Sequence, residues 1–307
     1  MDEAPALQSV ELQTEPTMYS KFFRFEYYSG SGNLFLISRS SAEDLSSFTP
    51  ACIRKIVQSS PHRVDGVLLI EETCPHMRMH YFNCDGSRAS MCGNGLRCSI
   101  KYVYDHIQKC SSHISLHTDC GKRSGTVYPD SNEVEVDMGT YCLHTSIKKE
   151  SLCIDSIDLA PVYFSNTGVP HAVLFSQDTK SFPVVTLGKA IRHHSAFYPH
   201  GTNVNFASVE SYSAFQSYIR LRTYERGVED ETGACGTGAV ATALSFLFAH
   251  FPHSASRPVS YVVHITFTSG EVGTLCCLST HNDELSVQLR ASAVWHPSKS
   301  VIWKHEG

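Results

Sequence analysis

The sequence predicts a mixed α/β (α+β) fold made of two similar halves. Three observations carry that expectation: short strand-like runs dominate, only two segments show a clear helical pattern, and one order of strand, loop and helix occurs twice. The chain has 307 residues, which suits two domains or one large one at roughly 100–200 residues each. Hydrophobic residues make up 42% and charged residues 18%, the balance of a globular protein with a sizeable core. A net charge of −5 argues against non-specific nucleic-acid binding, which needs a basic surface. No apolar run reaches the ~20 residues of a membrane span. The polar, acidic N-terminus lacks a basic n-region and an apolar stretch, so it does not read as a secretory signal. Residues 1–18 are expected to be a loose extension. A cytoplasmic setting follows, with the twelve scattered cysteines reduced.

Taken in order, strands are expected at 33–38, 66–71, 76–82, 127–136, 172–175, 203–209, 218–224, 262–268 and 285–289, several with period-two alternation. Helices are expected over 94–107 and 236–249, with less regular helical patterns over 41–57 and 185–193. In the first half, a strand leads through a polar loop to Met-Cys-Gly-Asn-Gly and a helix. In the second, a strand leads through a polar loop to Ala-Cys-Gly-Thr-Gly and a helix. Asn83 precedes Cys92 by nine residues, and Arg226 precedes Cys235 by nine. Gly-Thr followed by an apolar residue recurs after each helix, at Gly125 and Gly273. Chance likeness of common strand–loop–helix units is the competing explanation; the matched order of four elements favours duplication. The boundaries expected are an N-terminal half over 19–140, a C-terminal half over 141–290, and a segment 291–307 that could return to the first half. Equivalent loops of two such halves face each other across a cleft, a preferred place for a ligand.

The turns Cys92-Gly93-Asn94-Gly95 and Cys235-Gly236-Thr237-Gly238 each stand where a loop enters a helix. The first turn of a helix has free N–H groups and the positive end of the dipole, so it can hold a carboxylate. The same field is expected to lower the pKa of a cysteine placed there. Face to face, the two turns would hold one small carboxylate with a sulfur on each side of its α-carbon. One thiolate would remove the α-proton and the opposite thiol would return one, a two-base racemisation or epimerisation. Two buried cysteines in glycine-rich turns are the structural alternative. A zinc site fits less well, because Cys92 and Cys98 are six apart and no second close Cys or His pair completes it. No phosphate-binding glycine loop is present.

These motifs resemble diaminopimelate epimerase. The matching segments are Gly30 to Asn33, Phe82 to Ser87, Met91 to Cys98, Pro170-His171, Gly201 to Phe206, Tyr224 to Gly227 and Ala234 to Gly238. The resemblance implies two pseudo-symmetric domains, each a mostly antiparallel sheet wrapped around a central helix, with the active site between them. It implies epimerisation of LL- to meso-diaminopimelate, for lysine and peptidoglycan synthesis, with no cofactor: neither pyridoxal phosphate nor metal. Cys92 and Cys235 would be the acid–base pair. Gly93, Asn94, Gly236 and Thr237 would hold the reacting carboxylate, and Asn33, Asn83, Asn203, Glu225 and Arg226 the rest of the substrate. Arg226 suits a carboxylate by its fork of donors, and Glu225 an ammonium. The partner expected is a small amino acid, with no nucleic acid and no membrane; a homodimer is compatible with the sequence.

Three features depart from the family pattern. Val169 replaces the asparagine of Gly-Asn-Pro-His, the stretch from Arg226 to Cys235 is one residue longer and carries Glu229-Asp230, and Arg290-Ala291-Ser292-Ala293 replaces Thr-Gly-Pro-Ala. Asn166 is a candidate substitute for the missing asparagine. A broader amino-acid racemase, acting for example on glutamate, a non-catalytic binding protein and a thiol redox protein stand as alternatives.

Overall fold

The computed structural model describes residues 21–73, 76–89, 92–154, 157–251, 258–280 and 284–305. The expected extension at 1–18 lies outside them, as does Met91. The first half runs β1 (Lys21–Gly30), β2 (Asn33–Ser40), α1 (Ala42–Leu45), α2 (Pro50–Ser59), β3 (Gly66–Thr73), β4 (His76–Asn83), β5 (Arg88–Ala89), α3 (Gly93–His106), β6 (His113–Thr118), β7 (Gly121–Tyr128) and β8 (Glu133–Cys142). A short α4 (Leu143–Ser146) and β9 (Lys148–Ile154) follow. The second half runs β10 (Ile157–Asn166), β11 (Pro170–Phe175), α5 (Val184–Arg192), a 3-10 turn (Ser195–Phe197), β12 (Asn203–Tyr212), β13 (Gln216–Glu225), β14 (Asp230–Thr232), α6 (Gly236–His250), β15 (Ser260–Thr266), β16 (Val272–Ser279) and β17 (Glu284–Ser292). The last strand is β18 (Val294–His305).

The two halves repeat one topology. In the first, β1/β2 is a hairpin, β2 pairs parallel with β3 across α2, and β4 pairs parallel with β6 across α3. In the second, β10/β11 is a hairpin, β11 pairs parallel with β12 across α5, and β13 pairs parallel with β15 across α6. The other pairings are antiparallel, and each half is a mostly antiparallel sheet around one helix. β8 pairs with β17, so the halves share one continuous sheet. β9 pairs with β10, and in the equivalent place β18 pairs with β1.

Burial follows from this layering. β3 is buried along Gly66–Glu71 and β12 along its first six residues, because each has a helix on both faces. Ile53 and Ile56 of α2 pack with Leu36, Val67 and Leu69; Val184 and Ile191 of α5 pack with Val204 and Phe206. The inner faces meet α3 and α6, whose apolar side chains share one core. Each fully buried leucine or phenylalanine there contributes about 1.5–3 kcal/mol.

Two expected elements divide. The helix expected at 41–57 is α1 and α2, because Thr49 starts a new helix: its Oγ1 accepts the N–H of Cys52 at 3.2 Å and Pro50 follows at the first position. The strand expected at 127–136 is the end of β7 and the start of β8. The chain reverses between them, with Asn132 in the left-handed region at φ 52°.

Candidate active site

Cys92 and Cys235 occupy the same place in the two halves. Each is extended (φ −145° and −130°) and is the N-cap of its helix. Cys92 Sγ accepts the Gly95 N–H at 3.3 Å, and Cys235 Sγ accepts the Gly238 N–H at 3.4 Å. The sulfurs thus take the role usually filled by a serine or aspartate oxygen. The fourth residue of each turn must be small. A Cβ at Gly95 would lie 3.3 Å from Cys92 Cβ, and one at Gly238 would lie 2.4 Å from Asn205 Oδ1.

The third residue of each turn is tied to the adjacent hairpin. Asn94 Nδ2 donates to Asn33 Oδ1 at 2.7 Å, just after the Ser31-Gly32 turn. Both residues of that turn have positive φ (51° and 88°), as a two-residue hairpin loop requires. In the second half, Thr237 Oγ1 meets His171 Nε2 at 2.9 Å, just after the 167–169 turn. Asn205 Nδ2 donates to His171 Nδ1 at 2.9 Å, which puts the imidazole proton on Nε2, aimed at Thr237. Thr237 Oγ1 is in turn 3.4 Å from Cys235 Sγ. The helix entrances adjoin: a Cβ built on Gly236 would be 3.7 Å from Asn94 Oδ1.

Glu225, at the end of β13, accepts the Thr232 hydroxyl at 2.7 Å, and its charge acts in the raising direction on both Cys235 and Cys92. The expected lowering of the cysteine pKa values is not found. Desolvation pushes Cys92 up to about 11 and Cys235 higher still, with the Glu225 charge adding to both. The backbone N–H bonds from the helix turns act in the lowering direction but are outweighed. Desolvation also raises Glu225. The pair is therefore two thiols at neutral pH.

A profile of the diaminopimelate epimerase family matches residues 25–143 and 163–264. The Aquifex aeolicus diaminopimelate epimerase is 36% identical over 226 residues, 70% of this chain and 78% of that protein. The enzyme of that name from a Hydrogenobaculum species is 35% identical over 277 residues, 85% of this chain and 92% of that protein. The chain belongs to the diaminopimelate epimerase family. That membership makes it an isomerase. Solved structures extend the fold further. A phenazine biosynthesis protein from Bacillus anthracis aligns with TM-score 0.64 at 12% identity, over 92% of this chain and 99% of that one. A hydroxyproline epimerase from Agrobacterium vitis aligns with TM-score 0.63 at 12% identity, over 94% of each chain.

The remaining family positions fall into two groups. Asn203 joins the site: its Oδ1 accepts the Arg226 N–H at 2.8 Å and its Nδ2 donates to Pro170 O at 3.1 Å. Arg226 Nη1 donates to His200 O at 3.2 Å. Gly93 faces open space, with nothing within 4 Å of where a Cβ would stand. Asn83 closes its own turn, its Nδ2 donating to Ser87 Oγ at 2.9 Å. Asn166 is exposed and caps its own turn, accepting the Gly168 N–H at 3.1 Å. In the longer stretch after Arg226, Glu229 adopts φ 59° and is held by the Gly227 N–H at 3.0 Å and Arg192 Nε at 3.1 Å. The residues that motif reading missed are Arg97 and Asn205. Both lie inside matched segments, and their only signal was polarity at positions the fold buries.

Two stability predictions follow. Gly238→Ala must displace Asn205 and is expected to destabilise the protein by about 1–3 kcal/mol. Gly93→Ala meets nothing and is expected to stay within about 0.5 kcal/mol of the parent. Urea unfolding of the two variants compares them, and equal midpoints would contradict the account. His171 is fully buried, and desolvation lowers its pKa to about 3. A folded-state value below the unfolded one gives stability that is complete above roughly pH 6.5 and lost as pH falls toward 3. His171→Gln is expected to flatten that part of the stability–pH curve. A variant curve as steep as the parent's would count against it.

Proposed function

We propose that the chain is a diaminopimelate epimerase that interconverts the LL and meso forms by proton transfer between Cys92 and Cys235. The reacting carboxylate sits between the N-terminal turns of α3 and α6, on the free N–H groups of Gly93, Gly236 and Thr237 and the side chain of Asn94. One sulfur, as thiolate, takes the α-proton and becomes a thiol. The C–H electron pair spreads into the carboxylate, where the helix-turn donors meet the added charge. The opposite thiol gives its proton to the other face of the carbon and becomes a thiolate. Atoms and charge balance, the configuration inverts, and the next turnover runs from the other side. Because desolvation holds both thiols high, the thiolate forms with substrate bound, when the N-terminal dipoles act in a space closed to water.

At the far end, Arg226 and Asn203 take the second carboxylate, and Glu225 with Asn33 and Asn83 the polar groups around it. The two halves, 19–140 and 141–290, close on the substrate from either side. The product class serves lysine and peptidoglycan synthesis in the cytoplasm. The observation that carries the reading is that Cys92 and Cys235 are the N-caps of two helices whose entrances adjoin. Val169 favours one second reading, a wider amino-acid range, since a valine side chain offers no hydrogen bond where the family has an asparagine. Deuterium incorporation at the α-carbon, followed by NMR for diaminopimelate, glutamate and proline, tests both. Exchange with inversion on diaminopimelate alone is expected; robust exchange on glutamate with none on diaminopimelate would overturn the choice.

A further inference from the structure

Arg97 has the largest side chain that the fold buries completely, at 1% exposure. It lies on α3, three residues beyond Asn94. Its Nη2 donates to Asn94 Oδ1 at 2.9 Å and to Ser31 Oγ at 2.7 Å, and its Nε to Ser292 O at 3.4 Å. Nη1 is buried with no hydrogen-bond partner. It faces the entrance of α6, where a Cβ built on Gly236 would be 3.9 Å away. None of its bonds goes to a carboxylate, so among the described residues it is a buried cation without an ion-pair partner. A guanidinium does not lose its proton in a protein, so the charge cannot be shed. Burying an unpaired charge is strongly unfavourable, and an apolar side chain of similar length would fill the space without that cost. The unpartnered Nη1 thus points to the place between the two helix turns where an anion would pair with it.

We propose that Arg97 is the fixed counter-charge of the reacting centre: set between the N-terminal turns of α3 and α6, its guanidinium offsets the negative charge that forms at Cys92 and on a carboxylate held by the two turns. It does not touch the reacting carbon. It is a positioning residue that also supplies field. Its two Nη2 bonds hold both sides of the Asn33–Asn94 contact, since Ser31 belongs to the hairpin turn that presents Asn33 and itself stands at φ 51°. The arrangement is one-sided. The equivalent position on α6 is Val240, and Cys235 instead has Thr237 Oγ1 at 3.4 Å and the negative charge of Glu225 acting against its thiolate. The groups facing Cys92 are Arg97, which favours the thiolate, and Glu225, Cys98 and Tyr81, none of which supplies positive charge. Those facing Arg97 are Cys92, Cys98 and Glu271, the last engaged by the Ser292 hydroxyl. With a cation on the helix that Cys92 caps and an apolar residue in its place on the helix that Cys235 caps, Cys92 is the sulfur expected to ionise first.

The carboxylate half of this inference rests on the proposed function; the Cys92 half does not need turnover. Iodoacetamide alkylation of Cys92 and Cys235 across pH, read by peptide mass spectrometry, tests it, with exposed Cys84 as internal reference. In Arg97→Met the Cys92 profile is expected to move to higher pH, with about a tenfold slower reaction at fixed pH for each unit moved. Arg97→Lys should restore most of the rate, and Cys84 should not change. A folded Arg97→Met protein with the parent's Cys92 profile overturns the proposal. If that variant does not fold, the parent alone decides: Cys92 must titrate below Cys235, and equal or reversed midpoints overturn it. A shifted Cys92 profile in a protein that exchanges no α-proton of any amino acid would remove the epimerase reading and leave the counter-charge standing.

Discussion

Replacing Cys235 by serine is expected to lower turnover by about 10²–10⁴-fold, the span that a positioned acid–base group contributes. The fold should be untouched. Serine is a better N-cap than cysteine, and its Oγ can accept the Gly238 N–H that Sγ now accepts. What is lost is an ionisable group, since a hydroxyl cannot supply the base or the acid near neutral pH. The loss should be asymmetric. Cys92 remains able to remove a proton from its own face of the carbon, so one stereoisomer should still exchange its α-proton with solvent, without inversion. The other should not exchange at all. Cys92→Ser should show the mirror pattern. Proton NMR in deuterium oxide with each pure stereoisomer separates the two variants, and unchanged epimerisation by either would remove the two-base mechanism.

Glu225→Gln should move activity and stability in opposite directions. The glutamine keeps the shape and can still meet Thr232, but it cannot balance an ammonium. Removing one member of a hydrogen-bonded charge pair costs about 2–5 kcal/mol, so kcat/KM should fall about 30-fold or more. Stability should rise at the same time. Desolvation raises the Glu225 pKa in the folded protein, so its ionised form weakens folding. With the folded value above the unfolded one, the penalty is absent below the unfolded pKa of about 4.3 and grows as pH rises through the folded pKa. The gain should therefore be clear at pH 8 and vanish near pH 4. Thermal unfolding of both proteins at the two pH values measures it, and a variant less stable at pH 8 would contradict the sign. A group kept despite weakening the fold is expected at a site that must meet a charged ligand.

The twofold pattern was legible because it is carried by local signals: glycines at fixed offsets from each cysteine, and strands whose alternation survives in the structure, as in β17. Element ends were less so, since Thr49 and Asn132 act through cap and turn geometry that periodicity does not weigh. The site divides the same way. Cys92, Cys235, Asn94, Thr237, Glu225 and Asn203 converge. Asn83 shows what spacing leaves out: its distance in sequence from Cys92 says nothing about which way the amide turns, and here Nδ2 turns to Ser87. The direction of the cysteine shifts was missed for a physical reason. The helix field is local and visible in sequence, whereas desolvation depends on everything that packs around the sulfur. Arg97 shows the same limit. An arginine in a helix reads as a solvated face, and only tertiary wrapping of α3 makes it a buried cation.

The pairing of β18 with β1 sets the order in which the protein can be made. Residues 21–30 are made well before residues 294–305, which fill one edge of that strand. Until β18 is made, that edge stays open, with alternating aromatic residues, Phe23, Phe25 and Tyr27, inviting wrong partners. The first half therefore completes only once β18 is available, and deleting residues 294–305 should damage the amino-terminal half of the molecule, not the half they adjoin in sequence.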